Sequence, residues 1–172
     1  GLLAIHDPAV RPVWQSSRRR LEWPNGVVAQ VFSAQDPESL RGPQFGAAWC
    51  DELAKWPDAE ATWDMLQFGL RLGDHPRQAV TTTPRPTPLL KRLIAAERTV
   101  VSRMTTRENA ANLAGGFLGE IVGRYAGTRL GRQELDGELI EDRPDALWSR
   151  AAIERGRIAT PPPLARIVVA VD

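Results

Sequence analysis

The residues able to do chemistry fall in three short segments. The first is Ala47-Ala48-Trp49-Cys50-Asp51-Glu52, an apolar run that ends in two adjacent acids. Phosphoryl transfer to water uses such a pair at the carboxyl end of a strand. In such a pair the first acid, here Asp51, would hold the magnesium that accompanies the phosphates, and the next, here Glu52, would orient the attacking water. Open α/β sheets bind their ligands at that edge. The same pair also suits a helix N-terminus, where acids complement the helix dipole. The second segment is Thr81-Thr82-Thr83-Pro84-Arg85, three hydroxyls that close a short apolar run. It follows the acids by one strand–helix–strand unit of roughly 30 residues. A neighbouring parallel strand brings those hydroxyls near a γ-phosphate or its metal waters; a β-forming run stopped by a proline turn has the same composition. The third is Ser39-Leu40-Arg41-Gly42, in which Arg41 lies eleven positions before Glu52. An arginine there is either a finger that neutralises transition-state charge or a solvated loop residue.

The elements that must position these groups follow from pattern. Residues 13–23 and 27–34 read as strands, because Leu21 and Trp23 alternate with Arg20 and Glu22. Asn25-Gly26 between them tolerates the positive φ of a tight hairpin turn. Residues 47–50 read as a buried strand and 79–82 as the next one. Residues 58–72 read as a helix, with Asp58 as cap and Ala59, Trp63, Leu66 and Leu70 on one stripe. Thr87-Pro88 opens another helix, Thr as N-cap and Pro at the first helical position, with Leu89, Leu90, Leu93 and Ile94 toward the core. Residues 99–104 are strand-like. Alternating strands and helices predict a parallel, layered α/β sheet. From Thr105 the character changes: 112–125 and 128–139 read as two helices of a small subdomain. Residues 144–163 read as a linker ending in the stiff run Pro161-Pro162-Pro163, and 167–171 as a fresh apolar strand.

The bulk properties are those of a globular chain. At 172 residues, 42% hydrophobic and 25% charged, it is long enough for one domain with a sizeable core. A net charge of +1 gives no strong global field toward nucleic acid. Of the 22 basic residues only Lys55 and Lys91 are lysines. That bias fits phosphate contact, which suits arginine, and equally a GC-rich coding sequence. Arg18, Arg19 and Arg20 form the densest basic run, which reads as a DNA-backbone contact or as a solvated hairpin strand. One cysteine, Cys50, excludes an internal disulfide framework and a Cys-rich zinc site. His6 and His75 are isolated, so no histidine metal cluster is visible. No apolar run reaches the length of a membrane span, and no signal-peptide pattern is present. A soluble, intracellular protein is the expectation. The chain opens on Gly1 and closes on a hydrophobic run ending at Asp172, so it reads as a piece cut at both ends.

Taken in order, Phe32-Ser33-Ala34-Gln35-Asp36-Pro37-Glu38-Ser39-Leu40-Arg41-Gly42-Pro43-Gln44, Ala48-Trp49-Cys50-Asp51-Glu52 and Thr81-Thr82-Thr83-Pro84-Arg85 resemble the ATPase of terminase large subunits. The likeness is closest to the branch found in tailed phages and phage-derived gene transfer agents. The helical stretch with Asn109, Tyr125, Gly127-Thr128 and Arg132-Gln133-Glu134-Leu135-Asp136-Gly137-Glu138 is similar to that family's lid subdomain. Val168-Val169-Ala170-Val171-Asp172 is similar to the first strand of its RNase H-like nuclease. The resemblance implies an α/β fold: a partial P-loop NTPase of glutamate-switch type, with a parallel sheet, a small helical lid and the first nuclease strand. The implied divisions are 1–104 for the later part of the ATPase core, 105–143 for the lid, 144–165 for a linker and 166–172 for the nuclease strand.

The resemblance also implies roles. Asp51 becomes the Walker B acid for magnesium with ATP, and Glu52 the catalytic base. Thr81, Thr82 and Thr83 become the coupling motif that reports hydrolysis to the lid. Arg41 becomes an arginine finger, in its own subunit or the next. Asp172 becomes the first nuclease metal carboxylate, in a site that is incomplete here. The implied cofactors are ATP and Mg2+. The implied partners are double-stranded DNA, the portal or procapsid, the small terminase subunit and further copies in a homo-oligomeric ring, with no membrane, in the cytoplasm of the host cell. One departure matters. A P-loop needs Lys after Gly, whereas Lys55 and Lys91 follow Ala54 and Leu90. The family carries that motif upstream, so this chain alone is expected to hydrolyse little ATP and to leave one face of its sheet bare. Two other readings stay open. One is another glutamate-switch ATPase such as a helicase, in which a nuclease-like strand after a Pro-rich linker is not expected. The other is a non-catalytic prophage remnant or a DNA- or procapsid-binding module.

Overall fold

The computed structural model describes residues 2–141, 148, 150–158, 160, 163 and 166. The chain divides into one unit over Gly1–Leu139 and a second over Ile140–Asp172. The strand expected at 167–171, Asp172 and part of the linker expected at 144–163 lie outside the described residues, whereas Arg150–Gly156, within that expected linker, are helical.

The strand expected over 13–23 is two strands. β1 (Val13–Gln15) and β2 (Arg20–Glu22) pair antiparallel, with Trp14 opposite Leu21 and Gln15 opposite Arg20. Between them Ser16–Arg18 make a 3-10 turn, and Arg19 takes a left-handed backbone at φ 50° that reverses the chain. No glycine marks this turn, so the alternation of Leu21 with its polar neighbours concealed it. β3 (Val28–Gln30) pairs with β2 across the expected Asn25-Gly26 turn, where Gly26 sits at φ 84° and its N–H donates to the Trp23 carbonyl at 2.9 Å. β3 is shorter than the expected 27–34, because the ladder ends where Arg19 leaves extended backbone.

The core is built by β4 (Ala47–Asp51), α1 (Ala59–Gly69), β5 (Arg77–Thr81) and α2 (Pro88–Ala95). β4 and β5 are parallel, in a register that sets Cys50 opposite Val80 and Asp51 opposite Thr81. Parallel neighbours need a crossover, and α1 supplies it. Side chains alternate between the two faces of a strand. Ala48, Cys50 and Val80 therefore turn inward with Leu40, Leu53, Trp63, Leu66 and Leu89, of which Leu53 and Leu89 are fully buried. Among the described residues Thr62 is the one buried polar side chain, and its hydroxyl donates to the Ala34 carbonyl at 3.1 Å. Thr87 caps α2 as its sequence predicts, its hydroxyl accepting from the Leu90 N–H at 3.3 Å. The opposite face of the pair is open: Trp49 is 58% exposed.

Residues 99–104 correct a second expectation. They form no strand: Val100 is 95% exposed, and among the described residues the parallel sheet has two strands. β-forming side chains hold a strand only where a ladder and a packed face receive them. The helical part is also more broken than the pattern suggests. α3 (Phe117–Tyr125) begins after the Gly115-Gly116 pair rather than at 112, and α4 (Arg129–Glu134) ends before Leu139. Thr128 caps α4, its hydroxyl accepting from the Gly131 N–H at 3.0 Å. Only glycine fits at 131, because a Cβ there would collide with the Tyr125 carbonyl. In the second unit α5 (Arg150–Gly156) carries Glu154, which forms a two-point ion pair with Arg157 at 2.8 and 2.9 Å.

Cys50 gives the core a chemical reporter. Burial pushes its thiol up from 9.0 to about 11, because an apolar interior disfavours the thiolate. The folded chain keeps this proton where the unfolded chain has lost it, so the contribution is intact below pH 9.0 and is lost as pH rises toward about 11. A thiol reagent at neutral pH should leave Cys50 unmodified until denaturant is added. The denaturation midpoint should fall between pH 9.0 and about 11, and fall less in Cys50→Ala; an equal fall in both proteins would refute the assignment.

Candidate functional site

The carboxyl ends of β4 and β5 bring the acids and the threonines together. Thr81 Oγ1 lies 2.6 Å from Asp51 Oδ1 and 3.0 Å from the indole Nε1 of Trp49. These contacts follow from the register, which places Trp49, Asp51 and Thr81 on the open face of the pair. Thr82 turns the other way. Its hydroxyl oxygen accepts from the Ala54 N–H at 3.1 Å and its proton goes to the Thr83 carbonyl at 3.0 Å. One threonine therefore holds an acid, and the next holds the 3-10 turn of Leu53–Lys55 that follows the acids.

Glu52 is the strained residue of the site. Its backbone is left-handed, φ 51° and ψ 41°, a conformation uncommon for a residue with a Cβ. Such strain costs on the order of 1–3 kcal/mol and persists only where the surroundings enforce it. Here Leu53 is fully buried on one side, the Thr82 hydroxyl fixes Ala54, and the Trp56 indole donates to the Asp51 carbonyl at 2.8 Å. The Glu52 side chain is 42% exposed, and its carboxylate lies 3.2 Å from Lys55 Nζ. Its Oε2 is shut off from solvent and meets the ammonium as an ion pair, with no donor aligned on it as a hydrogen bond.

The remaining candidates lie elsewhere. Arg41 precedes β4, beside the end of α1, with Gly69 and Phe68 lining the same hollow. It thus sits at the amino end of the strand whose carboxyl end carries the acids, and its guanidinium pairs with Glu38 at 2.6 Å on the surface. Arg18 and Arg19 are exposed at the tip of the β1–β2 hairpin, whereas Arg20 is tied down by Glu22 at 3.0 Å and Gln15 at 2.9 Å. Asp172 lies outside the described residues. Sequence reasoning missed Trp49 and Trp56. The signal for Trp49 was available, since a residue two before Asp51 in a strand shares its face. Trp56 acts through a turn that no periodicity announces.

Among the described residues no group of three His, Cys, Asp or Glu side chains could hold a metal ion, and no helix is long and apolar enough to cross a membrane. The donor set at Asp51 is a single carboxylate with one oxygen already engaged by Thr81. That set fits magnesium brought in with phosphates, since this ion is commonly held by one or two carboxylates, water and substrate oxygens. It does not fit a metal caged by protein alone. Two comparisons bear on the site. The family model described as terminase large subunit, T4likevirus-type, N-terminal, matches residues 1–155, which include every described candidate residue. No curated protein matches the chain.

The left-handed backbone at position 52 is open to a stability measurement. Glu52→Val should be less stable than Glu52→Gly by about 1–3 kcal/mol, because a β-branched residue is the least tolerant of positive φ. Equal denaturant midpoints for the two variants would mean that position 52 is unstrained.

Proposed function

The chain belongs to the terminase large-subunit family of viral DNA packaging, and we propose that it forms the hydrolytic edge of the ATP-driven motor that moves double-stranded DNA into a procapsid. The observation that carries this reading is the contact of Asp51 with Thr81 at 2.6 Å across a parallel strand pair, with Glu52 next in the chain. In this reading the chain is a piece of the subunit, of the branch found in tailed phages and gene transfer agents, and acts in the host cytoplasm within a homo-oligomeric ring.

Asp51 would hold Mg2+ through the carboxylate oxygen that Thr81 leaves free. When bound, the magnesium–ATP complex supplies the electrophilic γ-phosphorus and the leaving group. Glu52 would orient a water and take its proton, and its fixed backbone limits the directions in which the carboxylate can point. Thr81 and Thr82 would couple the state of that site to β5 and to the chain beyond it, where the helical lid lies. Thr83 continues the same coupling segment. Arg41 is separated from the acids by the length of β4, roughly 13 Å at 3.3 Å per residue. That separation favours a finger that serves a neighbouring subunit in the ring. The exposed Arg18 and Arg19 suit phosphate contact with DNA, while Arg20 is occupied by Glu22. The phosphate cradle would come from sequence outside these residues, as would the carboxylates that complete a nuclease site with Asp172. The portal or procapsid and the small terminase subunit are the remaining partners of this proposal.

The decisive experiment is ATP hydrolysis by the chain extended upstream through a P-loop. DNA-stimulated turnover is expected, with Glu52→Gln lowering it by about 10²–10⁴-fold, the range for loss of a general base. A folded extended protein with no hydrolysis would favour a DNA- or procapsid-binding module instead. The 172-residue chain alone is expected to turn over little ATP. Joint charge reversal of Arg18 and Arg19 should leave basal hydrolysis intact and weaken DNA stimulation. It should also make the salt dependence of DNA binding shallower, by about one unit of slope for each phosphate that the hairpin no longer neutralises. An unchanged salt slope would remove the hairpin from the DNA interface.

A further inference from the structure

We propose that Trp49 is a positioning residue that sets the orientation of the Asp51 carboxylate through the hydroxyl of Thr81. The direction of this chain of hydrogen bonds is fixed by chemistry. An indole N–H only donates, and an ionised carboxylate only accepts. The Thr81 hydroxyl stands between them, 3.0 Å from the indole nitrogen and 2.6 Å from Asp51 Oδ1. It must therefore accept from Trp49 and donate to Asp51. With its proton committed, the hydroxyl pins Oδ1 and leaves the second carboxylate oxygen for another ligand. The short contact to Asp51 is of the charge-assisted kind, stronger than a neutral pair.

The arrangement is exposed, and the core reaches it only through the register of the two strands. Trp49 is 58% exposed and its indole lies on the open sheet face. The parallel register alone places Trp49, Asp51 and Thr81 on that face. The Trp56 indole holds the Asp51 carbonyl at 2.8 Å, so two tryptophans fix this residue, one at its backbone and one through Thr81 at its side chain. Polarised in series, these bonds make the Trp49 N–H respond to whatever the Asp51 carboxylate meets. The inference deepens the proposed function and rests on its reading of Asp51 as the magnesium-associated acid.

The test uses the full 172-residue chain with nitrogen-15 in the indoles of its six tryptophans. The Trp49 signal is identified by its loss in Trp49→Phe, which keeps an aromatic ring but removes the donor. Asp51→Asn is expected to move the Trp49 N–H signal, although the two side chains are joined only through Thr81. The same change made in Thr81→Val should no longer move it, and Thr81→Ser, which restores the hydroxyl, should bring the response back. In the chain extended upstream through a P-loop, manganese(II) supplied with ATP, the probe for the magnesium position, should broaden signals around Asp51. It should bind roughly threefold more weakly to Trp49→Phe, a factor in keeping with one neutral hydrogen bond. A Trp49 signal indifferent to Asp51→Asn, or equal manganese affinity in wild type and Trp49→Phe, overturns the proposal while leaving the magnesium reading in place. An indole response without manganese broadening near Asp51 upholds the hydrogen-bonded chain and overturns the metal role. The other five indole signals report whether each variant is folded.

Discussion

Parallel pairing of β4 with β5 constrains the rest of the first unit. Two parallel strands cannot be joined by a tight turn, so the chain between them must cross back along one face, and α1 does this with Trp63 and Leu66 against Cys50 and Leu53. The crossover gives the pair one covered and one open face. It also fixes which residues meet at the carboxyl ends. Once buried Cys50 is opposite partly buried Val80, Asp51 must be opposite Thr81. A slip by one residue would carry Cys50 out of the core and Trp49 into it, so burial holds the register.

The same constraint explains the strain at Glu52. β4 ends at Asp51, and within two residues the chain must bury Leu53 and present the Ala54 N–H to Thr82. A left-handed residue makes that reversal in one step. Thr82 therefore contributes to the site from beneath it, holding the turn that carries Glu52, while Thr81 contributes from above, holding Asp51. Thr81 ends β5 and Thr82 follows it on the other side of the chain, so adjacent threonines can do both. The hairpin at residues 13–22 uses the same device: left-handed Arg19 closes a turn and leaves Arg18 and Arg19 exposed at its tip.

Several parts of the fold were legible from side-chain types. The crossover unit was marked by an apolar run, an amphipathic helix and a second run, although Asp58 makes no capping hydrogen bond at the start of α1. Thr87-Pro88 announced α2, Asn25-Gly26 announced its turn, and Thr128 marked the start of α4. Each of these signals is local: a cap, a turn residue or a period is read within a few residues of where it acts. The misread places depend on what lies alongside. Residues 99–104 have strand-forming side chains and no ladder, and Ser16–Arg18 interrupt a run whose alternation promised a continuous strand.

Residue types alone placed two acids at the end of an apolar run and three hydroxyls about one crossover later, but did not decide that one face of β4 would be open. They also determined that no Gly-Lys phosphate cradle is encoded here, because residue identity alone decides that. Tertiary structure decided which threonine meets which partner, that Glu52 is held left-handed, and that Arg41 lies at the far end of β4 from the acids. It decided too that Trp49 joins the site. These facts depend on register, on burial and on the direction of each hydrogen bond. Such quantities exist only between segments that are distant in the chain, and they are fixed only when the core brings those segments together.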